Sequence, residues 1–214
     1  MSTKIVEATA GPIASKLMEI GAIKLSQEKP FTWSSGWKSP VYCDNRLSLS
    51  HPEVRSYIKR SLVQAIRDAF PMADTIAGVA TAGVPQGALV AEELQWPFVY
   101  VRPKPKDHGL ENLIEGKIEK GQSVVLVEDL ISTGGSSLRA AAALREAGAI
   151  VKGMVAIFTY GFNAAEESFA KENVDLVCLC DFEHLLQEAL RKGFINENQL
   201  SHIKTWRLDP GHWK

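Results

Sequence analysis

Two acids and a loop of small, hydroxyl-bearing residues stand between an apolar segment and a helical segment. Glu128 and Asp129 follow the apolar residues 124–127, and residues 130–137 (LISTGGSS) lead into the helical pattern. Glycines allow a tight turn and a close approach to a ligand, while the free N–H groups at a helix start suit a phosphate monoester. Two adjacent carboxylates accept hydrogen bonds from a sugar diol or help to hold a hydrated divalent cation. A sugar phosphate satisfies both features; the simpler alternative is a strand–turn–helix connection in which the acids act as caps.

A second loop, residues 78–85 (GVATAGVP), also follows an apolar segment. Such a Thr/Gly loop can present N–H groups to a second phosphate, although an ordinary strand-to-helix turn explains it equally well. Neither glycine-containing loop matches the patterns G-x-x-x-x-G-K-[ST] or G-x-G-x-x-G. The sequence therefore gives little support to a P-loop or to a classical dinucleotide-binding site.

Positive charge is concentrated at residues 102–109 (RPKPKDHG), where a long interval without helix or strand pattern begins. This interval covers residues 102–121, and structureless loops of that length are often lids. We therefore predict a mobile lid that brings cations onto a polyanion whose charge grows in the transition state. The alternative is a solvated basic loop.

Apolar and helical segments alternate along most of the chain. The apolar segments are nearly continuous, which is typical of parallel strands covered on both faces. We therefore predict an α/β fold, an open, doubly wound and mainly parallel sheet, within a single domain of residues 1–214. Predicted strands cover residues 75–80, 97–101, 123–127, 151–159 and 174–180, and predicted helices cover 13–20, 50–69, 86–94, 138–147, 164–172 and 181–192. Capping boxes are predicted at Ser50/Glu53 and Asn163/Glu166, and Asp181 is predicted to cap the last of these helices.

Composition excludes several classes of protein. The 214 residues are 45% hydrophobic, enough for a sizeable core, and the formal net charge of -1 argues against a protein that coats nucleic acid. The apolar runs are too short for a membrane span, and residues 1–7 show no secretory pattern. Cys178 and Cys180 are predicted to be buried core thiols, which together with the unpaired Cys43 favours a reduced, cytoplasmic protein.

These motifs resemble those of a known family. Residues 124–137 are similar to the phosphoribosyl-diphosphate motif of type I phosphoribosyltransferases. Residues 31–46 (FTWSSGWKSPVYCDNR) and the lid at 102–109 narrow the resemblance to the orotate-specific branch of that family. The likeness covers about residues 13–181. It implies a small N-terminal hood formed with the first helix by residues 1–46, an α/β core at about 50–193, and a homodimer.

The resemblance also implies roles for individual residues. Glu128 and Asp129 would meet the ribose hydroxyls, and residues 132–136 would hold the 5′-phosphate, with Ser132 also near orotate. Arg102, Lys106 and His108 would be catalytic, reaching across a dimer to the neighbouring diphosphate. The implied substrate-binding set is Lys24, Tyr42, Cys43, Arg102, Lys106, His108, Glu128, Asp129, Leu130, Ile131, Ser132, Thr133, Gly134, Gly135 and Ser136.

Three positions depart from the family pattern. Pro103 stands where many members have a lysine after the lid arginine, and Ala82 replaces a lysine of the diphosphate loop. Long-form members bind the orotate carboxylate with an arginine after the strand at 151–159, but this chain reads Thr159-Tyr160-Gly161-Phe162. The resemblance therefore names no partner for the carboxylate.

The implied reaction joins orotate N1 to C1′ of phosphoribosyl diphosphate, with Mg²⁺ held mainly by substrate oxygens and water. We expect the protein to bind neither a membrane nor a nucleic acid. The alternatives are a phosphoribosyltransferase for another base, a phosphoribosyl-diphosphate-sensing regulator that binds RNA or DNA, and a generic nucleotide-binding module.

Overall fold

A computed structural model describes residues 3–26, 29–33, 36–104 and 113–211. Its strands are β1 (Lys4–Ile5), β2 (Ile23–Leu25), β3 (Phe31–Thr32), β4 (Lys38–Ser39), β5 (Val41–Cys43), β6 (Thr75–Val79), β7 (Phe98–Val101), β8 (Ile114–Glu115), β9 (Ser123–Ile131), β10 (Ile150–Thr159) and β11 (Leu176–Asp181). Its α-helices are α1 (Glu7–Glu19), α2 (Pro52–Ala69), α3 (Gly83–Leu94), α4 (Gly135–Glu146), α5 (Asn163–Lys171), α6 (Phe182–Arg191) and α7 (Glu197–Leu208). A 3₁₀ helix spans Asn45–Ser50.

Among the described residues, seven strands form the main sheet in the order β1-β11-β10-β9-β6-β7-β8, and only β8 runs antiparallel to its neighbour. Two apolar clusters cover its faces: α1, α2, α3 and α6 contribute to one, and α4 and α5 to the other. Because both faces are covered, the central parts of the strands are almost entirely apolar. The predicted fold class is confirmed.

Strand β9 is longer than predicted. The prediction ended it at residue 127, but pairing with β10 continues through Ala156↔Glu128 and Thr159↔Ile131. Glu128 and Asp129 therefore belong to the strand, close to its carboxyl end. Among the elements without a predicted counterpart are the edge strands β1 and β8 and the helix α7.

Both predicted capping boxes are wrong. Helix α2 begins at Pro52 with His51 as its N-cap, because Ser50 ends the preceding 3₁₀ helix. Helix α5 begins at Asn163 itself, and the Glu166 carboxylate accepts a hydrogen bond from the Thr3 backbone N–H at 2.9 Å instead of closing a box.

The interval 102–121 is also not free of structure, because Ile114–Glu115 pairs with β7. Of the lid residues, Lys106 and His108 lie outside the described residues.

The segment predicted to form the hood contains two antiparallel strand pairs, β2–β5 and β3–β4. Lys24 faces Tyr42 across the first pair. Asn45 of the 3₁₀ helix links this region to the main sheet, since its Nδ2 donates to the Asp129 carbonyl oxygen at 2.7 Å.

The cysteine prediction is confirmed for Cys178 and Cys180, which are buried, free thiols on β11. Burial raises the pKa of both thiols, so the neutral form is favoured. Within the described ranges, the helices are all too short or too polar to cross a membrane.

The predicted cap at Asp181 is confirmed, and His184 joins it to α1. The Asp181 carboxylate accepts from the His184 backbone N–H at 2.9 Å, and the two ring nitrogens of His184 lie 2.7 Å from Asp181 Oδ1 and 3.1 Å from Glu7 Oε2. Burial lowers the pKa of His184, but the two carboxylates outweigh it, and the net direction is upward.

A raised folded-state pKa stabilises the protein below the unfolded value of 6.5, and that stabilisation is lost as pH rises through the folded value. We expect His184→Gln to lower the free energy of unfolding by about 1 kcal/mol or less at pH 5.5 and by less at pH 8.5. Urea denaturation of both proteins at the two pH values measures this difference. An equal loss at both would show that the imidazolium does not contribute.

Candidate functional site

The phosphate-binding loop predicted from the sequence lies between β9 and α4. Gly134 caps the helix in the left-handed region at φ +80°, and a Cβ there would lie 2.7 Å from the Phe169 ring, so both backbone and space require glycine. The first N–H groups of α4 have no partner within the helix and face the carboxyl edge of the sheet. The loop thus presents positive partial charge where an anion can bind.

The two acids beside this loop differ in their surroundings. Glu128 is 6% exposed, and its carboxylate accepts hydrogen bonds from the Asp129 backbone N–H and the Ser137 hydroxyl, both at 3.0 Å. Burial raises the pKa of Glu128 well above its usual value, and the charge of Asp129 raises it further. Burial also raises the pKa of Asp129, while its contact with Glu128 and the charge of Arg46 oppose the rise. Glu128 therefore anchors the start of α4, whereas Asp129 lies on the side of the sheet nearer the hood.

The second loop lies next to the first. It follows β6, contains a cis peptide between Ala80 and Thr81, and leads into α3 at Gly83. A Cβ on Gly83 would lie 2.3 Å from the Val127 carbonyl oxygen, so α3 begins in direct contact with β9. Because β6 and β9 are neighbours, both loops lie at the same edge of the sheet, as parallel strands require.

A cleft of about 660 Å³ separates the hood from the phosphate loop. Its lining combines aromatic rings with hydroxyl groups and one guanidinium, and consists of Thr32, Trp33, Trp37, Tyr42, Cys43, Arg46, Leu130, Ser132, Thr133 and Tyr160. Ser132 and Thr133 belong to the phosphate loop itself, so an anion held by the loop and a flat group held in the cleft would be contiguous.

Two predicted hood residues, Tyr42 and Cys43, line this cleft. Tyr42 is 37% exposed and its ring lies 5.5 Å from that of Phe31. The Cys43 thiol donates to Asn45 Oδ1 at 3.1 Å. Burial, then the charge of Asp129, raises the pKa of Cys43 well above its usual value, so a thiolate nucleophile is disfavoured there.

Sequence reasoning missed the aromatic wall as part of the site. Trp33 and Tyr160 have ring centroids 4.8 Å apart, and Trp206 of α7 packs behind both at 5.6 and 5.9 Å. Tyr160 directly follows β10, and a position after the carboxyl end of a parallel strand was the available signal for it. Trp33 and Trp206 are far apart in the sequence, and no local pattern joins them.

Two of the predicted residues that the structure describes, Lys24 and Arg102, do not line the cleft. Lys24 lines a separate groove beside Gly21 and Phe31. Arg102 lies on a small cavity of about 60 Å³ with Ser136, and its guanidinium is 3.5 Å from the Glu115 carboxylate.

The chain is similar in sequence and in fold to known proteins. A model of the phosphoribosyl transferase domain matches residues 49–185. The chain is 53% identical over 202 residues to an orotate phosphoribosyltransferase of Cytophaga hutchinsonii, covering 94% of this chain and 97% of that one. It is 56% identical over 201 residues to the enzyme of the same name from Phocaeicola vulgatus, covering 94% and 95%. The crystal structure of orotate phosphoribosyltransferase from Aeropyrum pernix superposes with a TM-score of 0.75 at 31% identity, covering 86% of this chain and 99% of that one.

Proposed function

The chain belongs to the phosphoribosyltransferase family, and from that membership we infer that it transfers the phosphoribosyl group of 5-phospho-α-D-ribose 1-diphosphate to N1 of orotate. The products are orotidine 5′-phosphate and diphosphate, a step in the de novo synthesis of UMP. One observation carries the inference: Ser132 and Thr133 belong both to the phosphate loop and to the aromatic cleft. A sugar phosphate and a flat base can therefore bind side by side.

In this proposal the loop residues 132–136 hold the 5′-phosphate through their N–H and hydroxyl groups, and Ser132 also contacts orotate. Leu130 and Ile131 position this loop at the end of β9. Asp129 accepts from the ribose hydroxyls, while the buried Glu128 fixes α4 through Ser137. Tyr42 and Cys43 cover the pyrimidine, and Lys24 approaches both substrates from the edge of the hood.

Catalysis depends on the departure of diphosphate. Breaking the C1′–O bond leaves positive charge on the ribose and places charge on the diphosphate, which Arg102, Lys106 and His108 stabilise once the lid excludes water. Orotate N1 is itself ionisable, so no dedicated general base is assigned.

The proposed function includes a divalent cation, and the protein offers it few free ligand atoms at this site. Both Glu128 oxygens accept hydrogen bonds from the protein, and the described residues contain no cluster of three or more carboxylate, imidazole or thiol groups. In this proposal Mg²⁺ would be held mainly by substrate oxygens and water, with Asp129 beside it, and would neutralise diphosphate charge.

The lid is proposed to act across a homodimer. We expect Lys106→Ala and Asp129→Asn each to reduce turnover strongly. A mixture of the two variants should recover up to about a quarter of wild-type activity, because random exchange puts half of the chains in mixed dimers and each mixed dimer has one intact site out of two. Activity is measured after subunit exchange has been verified by native mass spectrometry. Absence of recovery would assign the lid to its own subunit.

The central experiment follows the loss of orotate absorbance on mixing protein, orotate, phosphoribosyl diphosphate and Mg²⁺. Hypoxanthine, adenine and uracil serve as parallel substrates. Turnover of orotate alone is expected. Turnover of another base instead would replace the pyrimidine assignment, and tight phosphoribosyl diphosphate binding without any turnover would favour a regulator.

The free thiols of all three cysteines support a reducing compartment such as the cytoplasm as the site of action.

A further inference from the structure

Arg46 is the only cationic residue among the described residues that line the cleft. It stands at the start of the 3₁₀ helix that follows β5, and its side chain is 61% exposed. We propose that Arg46 recognises the carboxylate of the pyrimidine substrate and so selects orotate over bases that lack this group. This proposal rests on the proposed function and adds a specificity-determining residue to it.

Asp44 holds the Arg46 guanidinium in place. Its carboxylate accepts from Arg46 Nε at 2.6 Å and from Nη2 at 2.9 Å, and it also accepts from the Arg46 backbone N–H at 3.2 Å. These bonds occupy one edge of the guanidinium and leave the N–H groups of Nη1 without a hydrogen-bond acceptor among the described residues. An arginine presented in this way can donate a charge-assisted pair of hydrogen bonds to a second carboxylate.

Two acids lie near Arg46, and its positive charge offsets theirs at the cleft. Asp44 and Asp129 both lie near Arg46, and the charge of Arg46 acts on the Asp129 carboxyl. Without the guanidinium, the acids would repel a base that carries its own negative charge. A neutral base would lose little from the same change, so Arg46 discriminates by charge.

Arg207 and Lys24 line neighbouring cavities instead of the cleft. Arg207 lines an adjoining cavity of about 240 Å³ with Gly161 and Asn163. Lys24 lines the groove on the other side of the hood, with its Cε beside Gly21. Long-form members of the family have an arginine after the strand that corresponds to β10. In this chain Tyr160 stands there, and it lines the cleft.

The test compares Arg46→Gln with Arg207→Gln, a matched control in the adjoining cavity. We expect Arg46→Gln to raise the KM for orotate about 10- to 100-fold, the size of a charge-assisted hydrogen-bond pair, with the KM for phosphoribosyl diphosphate within about twofold of wild type. Arg46→Lys should restore part of the loss, because it keeps the charge without the fork. Arg207→Gln should leave both KM values within about twofold of wild type.

Each result decides a separate question. An orotate KM within twofold of wild type in Arg46→Gln, or an equal rise in both KM values, would overturn the role of Arg46. A selective rise in Arg207→Gln would transfer that role to Arg207. The wild-type protein is assayed first, since its failure to turn over orotate would overturn the proposed function itself, whatever the variants do.

Discussion

Gly83→Ala is expected to destabilise the protein by about 3 kcal/mol and to reduce turnover by about 100-fold, because one methyl group forces two backbone segments apart. A Cβ at this position would lie 2.3 Å from the Val127 carbonyl oxygen and 3.2 Å from the Glu128 Cα. Both are main-chain atoms and cannot rotate away. Relief therefore requires α3 or the end of β9 to move, and the end of β9 carries both acids.

Gly11→Ala is the matched control for this prediction. Gly11 lies within α1, and a Cβ there would meet nothing within 4 Å. Alanine is the better helix former, so we expect unchanged activity and a gain of up to about 1 kcal/mol. Urea denaturation and steady-state kinetics measure both variants. Wild-type kinetics in Gly83→Ala would show that the contact between α3 and β9 does not position the acids.

Trp206→Ala is expected to cost about 4 kcal/mol of stability, the loss typical of a large aromatic side chain removed from a core. The Trp206 ring is fully buried, and its Nε1 donates to the Lys38 carbonyl oxygen of the hood at 2.9 Å. It also packs against Trp33 and Tyr160 of the cleft wall. The KM for orotate should therefore rise as well, because the hood loses its support from α7.

Phe194→Ala provides the comparison for Trp206. Phe194 is an aromatic residue shortly before α7, but it is 52% exposed, so its removal should cost less than about 1 kcal/mol. Denaturation curves and orotate kinetics are measured under conditions where each variant remains folded. If Trp206→Ala changed stability but left the KM for orotate unchanged, α7 would stabilise the domain without positioning the hood.

Arrangement along the chain was sufficient to predict the sheet and the position of the glycine-containing loop before α4. Continuous apolar runs such as residues 124–127 define buried parallel strands, and the loop that follows them carries its glycines and hydroxyls within fourteen consecutive residues. Both properties are local, because they depend on side-chain type and spacing alone. The cap at Asp181 was predictable for the same reason.

Other features depended on residues that are distant in sequence. The predicted capping boxes do not form, because Ser50 belongs to the 3₁₀ helix and the Glu166 carboxylate accepts a hydrogen bond from Thr3. Strand β9 extends to Ile131 because β10 pairs with it. The different surroundings of Glu128 and Asp129 follow from their neighbours in the fold, Ser137 of α4 for Glu128 and Arg46 of the 3₁₀ helix for Asp129.

The cleft itself is a property of the tertiary structure. Trp33 of the hood, Tyr160 after β10 and Trp206 of α7 meet although more than 100 residues separate the first from the others. Sequence alone determined the chemistry of the phosphate loop, because that loop is one continuous segment. Only the tertiary structure decided which aromatic rings and which arginine face it, because side chains from separate elements become neighbours only when their apolar surfaces pack together.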